Sequence, residues 1–191
     1  PEVLARSFAP VPGRPALRVL DTTDPAAVDR VTHECPPDVS VFIASSKSGG
    51  TIETLSHLET MVERANDPSR IVVITDPGSP LARRAADERF RALFENPSDI
   101  GGRYSALSFF GLVPAAAAGF DVSALLTSAD TVAPSLRSPD PAVNDGLRLA
   151  AAMAAGVRAG RDKLTLVVDG EIETIGLWLE QLLAESTGKQ G

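Results

Sequence analysis

Cysteine is almost missing from this 191-residue chain. Cys35 stands alone, which excludes an internal disulfide framework and fits a reducing compartment. It lies on a helical pattern just before Pro36-Pro37, with nothing nearby to lower its pKa, and reads as an inert structural thiol. Lysine is nearly as scarce: Lys47, Lys163 and Lys189 are the whole set. The arginines are scattered, no basic patch forms, and the net charge is −7, a balance that argues against a nucleic-acid partner and predicts a soluble, self-repelling surface. The two histidines, His33 and His57, sit on helical patterns apart from any cluster with metal spacing, so no metal site is expected. No apolar run approaches the ~20 residues of a spanning helix, and the start lacks a basic-then-apolar signal pattern. The sequence therefore predicts no membrane partner and a cytoplasmic location. The chain begins at Pro1 without methionine and stops at Gly191 in Ser-Thr-Gly-Lys-Gln-Gly, where a loop has barely begun. An internal piece of a longer polypeptide is expected.

What is present is an alternation of strand-like and helix-like runs, the pattern of a parallel sheet with crossover helices. Strands are expected at Leu17–Leu20, Val39–Ala44, Arg70–Thr75, Arg91–Phe94 and Lys163–Val168. Helices are expected at Pro1–Phe8, from Asp24-Pro25 to about Cys35, Thr51–Ala65, Leu81–Asp87, Ser105–Gly119 with a kink at Pro114, Val122–Leu136, Ala142–Ala159 and Glu171–Ala184. Ser138-Pro139-Asp140-Pro141 is the best linker candidate. The fold class expected is α/β, a three-layer αβα sandwich on a parallel sheet.

Three constellations carry chemistry. In the first, an apolar run stops at Ser45-Ser46-Lys47-Ser48-Gly49-Gly50-Thr51, and an amphipathic helical pattern follows. That order builds a cup for an anion: Ser46, Ser48 and Thr51 supply hydroxyls, glycines let the backbone turn sharply, and a helix N-terminus contributes free N–H groups and positive potential. Glu53 in the first turn would repel an anion unless it points away. The alternative is a serine-rich turn that merely caps a helix. The loop is neither a Walker A motif nor Gly-x-Gly-x-x-Gly, because its glycines follow the lysine.

The second is Asp99-Ile100-Gly101-Gly102-Arg103-Tyr104-Ser105, where paired glycines precede a guanidinium able to steady an oxyanion and Ser105 is placed to cap the next helix. A surface arginine at a helix start fits equally. The third is Trp178 to Lys189, in which Gln181 and Glu185 share one face near a helix C-terminus. There the helix dipole opposes ionisation and makes a carboxylate a better base. Most glutamates so placed are simply solvated.

Together these segments resemble the phosphoglucose isomerase family, whose catalytic body is two sugar-isomerase domains. Ser46-Lys47-Ser48-Gly49-Gly50-Thr51-Ile52-Glu53-Thr54 matches its phosphate loop, Gly101 to Ser105 its Gly-Gly-Arg-[Tyr/Phe]-Ser signature, and Gln181 to Lys189 its Gln-x-x-x-Glu-Ser-x-Gly-Lys signature. The Gly-Gly-Thr-Ile-Glu-Thr and Ile-Thr-Asp-Pro-Gly-Ser variants look like the bacterial branch, including the form fused to transaldolase. The resemblance implies interconversion of glucose 6-phosphate and fructose 6-phosphate through a cis-enediol(ate), with no cofactor. Ser46, Ser48, Thr51 and the backbone of Lys47 would hold the phosphate, with Gly102 and Gln181 also at the substrate. Glu185 would be the base and Arg103 the stabiliser of negative charge. It implies a first domain over 1–137, lacking its N-terminal strand and turn, and the start of a second over 138–191. It also implies a homodimer with sites at the subunit boundary. The family's Gly-Gly-Ser turn would precede Pro1, and its ring-opening histidine and a late lysine would follow Gly191, so the piece alone is expected to be inactive. Two other readings remain open: an isomerase of mannose or glucosamine phosphates, and a non-catalytic sugar-phosphate sensor.

Overall fold

The computed structural model describes residues 1–172 and 174–187. Its helices are α1 (Glu2–Ser7), α2 (Pro25–Glu34), α3 (Ile52–Ala65), α4 (Pro80–Asp87), α5 (Phe109–Ala117), α6 (Val122–Arg137), α7 (Asp145–Arg158) and α8 (Ile175–Thr187). Three strands, β1 (Phe42–Ser45), β2 (Ile71–Thr75) and β3 (Ala92–Glu95), pair in parallel in the order β1-β2-β3.

The central strand, Ile-Val-Val-Ile-Thr, is β-branched throughout and buried at every position, as a strand covered on both faces must be. Its alternate side chains sort the helices into layers. Ile71 and Val73 share a core with Leu58 of α3 and with Leu81 and Ala85 of α4. Ile74 lies opposite Phe94 of β3 in the ladder, so both point to the other face, where the Phe94 ring meets Phe109 of α5 at 5.6 Å. Helices therefore cover both faces, and the architecture is the expected α/β layering. Burying each such aliphatic side chain contributes about 1.5–3 kcal/mol, so this sheet is the natural anchor of the structure.

Local chemistry sets the helix starts. Asp24, Ser79, Asp121 and Asn144 each accept a first-turn N–H at 2.8–3.0 Å, from Ala27, Ala82, Ala124 and Leu147 respectively. At its other end α3 stops at Asn66, in the left-handed region with φ 45°.

Two expected strands do not form. Leu17–Leu20 and Lys163–Val168 have no regular secondary structure. A parallel strand exists only through a ladder partner, and no described residue supplies one. In the second segment Leu164, Leu166, Val167 and Val168 are left exposed. The helix expected over Ser105–Gly119 is divided into a 3-10 helix, Gly102–Leu107, and α5. That division falls at Ser108, while α5 runs through Pro114 as one element. The Ser138–Pro141 segment is a tied turn. Buried Asn144 donates from Nδ2 to the carbonyls of Leu136 and Ser138 at 2.9 and 2.7 Å, while Asp140 accepts from the N–H of Ala142 at 2.8 Å.

Candidate active site

The first constellation lies where β1 runs out. From Ser45 the chain turns through Ser46–Gly50 into α3, whose N-cap is Thr51. Ser46 is buried, and its Oγ lies 3.0 Å from Thr51 Oγ1 and accepts the Gly49 N–H at 3.2 Å. Exposed Ser48 accepts the Gly50 N–H at 3.2 Å. Because the Thr51 hydroxyl turns toward Ser46 and makes no cap bond, the first-turn N–H groups of α3 keep their donor capacity at the positive end of the helix. Glu53 in that turn is exposed. Gly49 is needed for its backbone: φ is 66°, and a Cβ there would meet Ser79 Oγ at 2.8 Å and Leu81 Cβ at 2.9 Å. The loop thus rests directly on the start of α4.

Lys47 points elsewhere. Its Nζ donates to Asp76 Oδ2 at 2.6 Å and to the Ser98 carbonyl at 2.7 Å. The ammonium is committed to these two partners.

The second and third constellations meet. Arg103, in the 3-10 helix, places Nη1 2.5 Å from Glu185 Oε2, and Gln181 donates from Nε2 to Glu185 Oε1 at 3.1 Å. Two further bonds bind α8 to this helix. Tyr104 OH lies 3.1 Å from Ser186 Oγ, and Trp178 Nε1 donates to the Arg103 carbonyl at 3.4 Å. Arg103 Nε is buried and has no hydrogen-bond partner among the described residues, so guanidinium donor capacity remains. Gly101, Gly102, Arg103, Tyr104, Gln181 and Glu185 line one open cleft of about 310 Å³.

Ser105 does not cap the following helix as expected. Its Oγ donates to the Gly102 carbonyl at 2.6 Å and closes the 3-10 turn, and Ser108 takes the N-cap position of α5. Gly188 and Lys189, the end of the third motif, lie outside the described residues. His33 is exposed on α2 with Nδ1 2.8 Å from the Asp29 carbonyl, and half-buried His57 belongs to α3. Neither histidine lines the cleft.

Lys47 also relates the two halves of the site. Ser98, whose carbonyl it holds, is five residues before Arg103, a span of at most about 18 Å of extended chain. Both halves sit beyond the carboxyl ends of β1 and β3, where open parallel sheets place their ligands. Asp76 and Ser98 were missed from sequence. The available signal was position: Asp76 directly follows β2 at that same edge.

A family model described as phosphoglucose isomerase matches residues 1–190. A glucose-6-phosphate isomerase from Cyanothece sp. is 35% identical over 201 residues, covering 100% of this chain and 38% of that protein. The Rubrobacter xylanophilus glucose-6-phosphate isomerase is 33% identical, covering 97% of this chain and 45% of that protein. Among solved structures, a hypothetical protein from Thermus thermophilus superposes with a TM-score of 0.85 at 30% identity, over 99% of this chain and 46% of its own. A Chlamydia trachomatis glucose-6-phosphate isomerase shares the fold, with a TM-score of 0.73 at 24% identity, over 88% of this chain and 34% of its own. The chain spans less than half the length of each of these relatives.

Proposed function

Because this chain belongs to the phosphoglucose isomerase family, we propose that the enzyme containing it interconverts glucose 6-phosphate and fructose 6-phosphate. The observation that carries the reading is the Arg103–Glu185–Gln181 cluster, joined across 82 residues and lining one cleft, in a chain segment that Lys47 ties at Ser98 to the Ser46–Thr51 loop. An aldose–ketose isomerisation needs a base at carbon, a cation where negative charge develops, and an anchor for the charged tail. The chain supplies one candidate for each.

Ser46, Ser48 and Thr51, with the backbone of Lys47 and the first turn of α3, take the 6-phosphate. Amides now accepted by Ser46 and Ser48 are the donors a phosphate oxygen would receive. Glu185 removes the C2 proton of the open-chain aldose. The C–H electron pair becomes the C1=C2 double bond and the carbonyl π pair moves to O1, giving the cis-enediol(ate). Return of the proton to C1, as the O2 hydroxyl proton passes to O1 and C2=O2 forms, then yields the ketose. Arg103 meets the developing negative charge, and Gln181 and Gly102 border the same carbons. Pre-aimed charges of this kind contribute several kcal/mol once a bound substrate has displaced water from around them.

The same reading assigns residues 1–137 to a first sugar-isomerase domain and 138–191 to the start of a second. It places the working enzyme in the cytoplasm as a homodimer with its sites at the subunit boundary. No helix among the described residues is long and apolar enough to cross a membrane.

The test is to incubate the full-length enzyme with fructose 6-phosphate in deuterated water. Glucose 6-phosphate carrying deuterium at C2 is the expected product. Mannose 6-phosphate as the main product would move the assignment to another isomerase, and no exchange at all would indicate a sugar-phosphate sensor.

A further inference from the structure

We propose that Lys47 and Asp76 form a strut that fixes the spacing between the phosphate loop and Arg103, positioning the sugar for proton transfer without contacting it. This rests on the isomerase reading above. An ammonium between Ser46 and Ser48 would ordinarily be expected to face the anion. It turns away instead and closes a three-way junction with Asp76 Oδ2 at 2.6 Å and the Ser98 carbonyl at 2.7 Å.

Asp76 holds Lys47 at two levels. Besides the ion pair, its own N–H donates to the Lys47 carbonyl at 3.1 Å, and Thr75 Oγ1 reaches the same carbonyl at 3.4 Å. The carboxylate's other oxygen, Oδ1, is buried and has no hydrogen-bond partner among the described residues, so compensation of this charge falls on the lysine. The Asp76 side chain is 19% exposed and that of Lys47 36%, so the pair is shielded on its carboxylate side and open to water at the ammonium.

At the far end, Ser98 belongs to the segment that carries Arg103. Fully buried Asn96 pins that segment to the sheet, its N–H donating to the Thr75 carbonyl at 2.8 Å. Its Nδ2 donates to the Pro97 carbonyl at 3.1 Å. Lys47 supplies the second pin, from the phosphate loop itself. Between Ser98 and Arg103 lie Asp99, Ile100 and two glycines, held before the 3-10 helix begins at Gly102 by one turn bond, from the Ile100 N–H to the Pro97 carbonyl at 3.2 Å. Without the strut, the guanidinium would keep its chemistry and lose its register with the bound phosphate. A misplacement of about 1 Å is enough to cost on the order of 100-fold in rate.

The experiment compares Lys47→Met, Asp76→Asn, the double variant, Lys47→Arg and Asp76→Glu in the full-length enzyme. It reads kcat and KM for fructose 6-phosphate and Kd for inorganic phosphate. Each neutralising variant should lose about 10- to 100-fold in kcat while the phosphate Kd moves by less than about threefold. The double variant should be no worse than the poorer single, because both remove one strut. Lys47→Arg, which keeps the charge and changes the length, should recover part of the loss. Phosphate affinity falling in step with kcat in Lys47→Met would make the ammonium a phosphate ligand and overturn the proposal. So would unchanged kcat, or losses that multiply. Should the neutralised proteins fail to fold, Asp76→Glu decides: a strut longer by one methylene must lower kcat with phosphate affinity kept, and unchanged kcat refutes it. Amide exchange over residues 98–104 separates this idea from the isomerase reading. It should accelerate in Asp76→Asn whatever reaction the parent enzyme catalyses, and equal exchange would leave no strut to defend.

Discussion

Arg103 Nη1 lies 2.5 Å from Glu185 Oε2, although 82 residues separate the two in sequence. The pair is not an investment in stability. Side-chain exposures of 31% and 47% leave it open to water and salt, and pairs so exposed contribute about 0–1 kcal/mol. Its weight falls on the site. Arg103→Met should lower kcat about 100- to 1,000-fold, the loss typical of removing one donor to a developing oxyanion. The thermal midpoint should barely move. A calorimetric scan beside steady-state kinetics checks both, and a large fall in the midpoint with intact kcat would make the pair structural.

The proposed phosphate loop yields a separable outcome. Ser46→Ala and Thr51→Val each remove a hydroxyl that the proposal assigns to the phosphate, and a hydrogen bond to a charged group is worth about 1.5–3 kcal/mol. Inorganic phosphate should therefore bind about 10- to 100-fold more weakly to each, as titration calorimetry would record. Because these hydroxyls bond each other at 3.0 Å, the double variant should lose less than the sum of the singles.

Gly49 and Gly78 both have positive φ, at 66° and 71°, but only Gly49 is crowded. Gly49→Ala combines left-handed strain with contact against Ser79 and Leu81, a cost of about 2–4 kcal/mol. Gly78→Ala, with nothing within 4 Å of its added Cβ, carries the strain alone. Melting should fall by roughly 5–15 °C in the first and distinctly less in the second.

Burial pushes the Cys35 thiol up, with Arg18 opposing and Glu34 adding. The folded protein therefore holds this proton more tightly than the unfolded chain does. The associated stability is present below the unfolded pKa and is lost as pH rises through the raised one. Alkylation of native Cys35 by iodoacetamide should need a higher pH for its half-maximal rate than alkylation of the denatured protein.

Much of this molecule was legible where one residue run decides its own structure. The apolar runs of β1 and β2, the Asp24-Pro25 helix start and the Ser46–Thr51 turn into α3 all follow from local composition and spacing. Leu17–Leu20 and Lys163–Val168 carry equally strand-like residues but remain unpaired, because pairing is decided by a neighbour rather than by the strand. Ser105 was misplaced for a related reason. Its hydroxyl donates to the Gly102 carbonyl inside the 3-10 turn, and the helix start falls at Ser108 instead. The Lys47 junction was invisible, since its partners stand 29 and 51 residues away and nothing in a serine-rich loop says where its lysine will point.

The most direct test of the account is Glu185→Gln in the full-length enzyme, with turnover of fructose 6-phosphate and affinity for the sugar phosphate measured on the same protein. The substitution keeps the shape of the side chain and removes the base, so turnover should vanish while the phosphate loop still binds its ligand with nearly unchanged affinity. Turnover near that of the parent enzyme would contradict it.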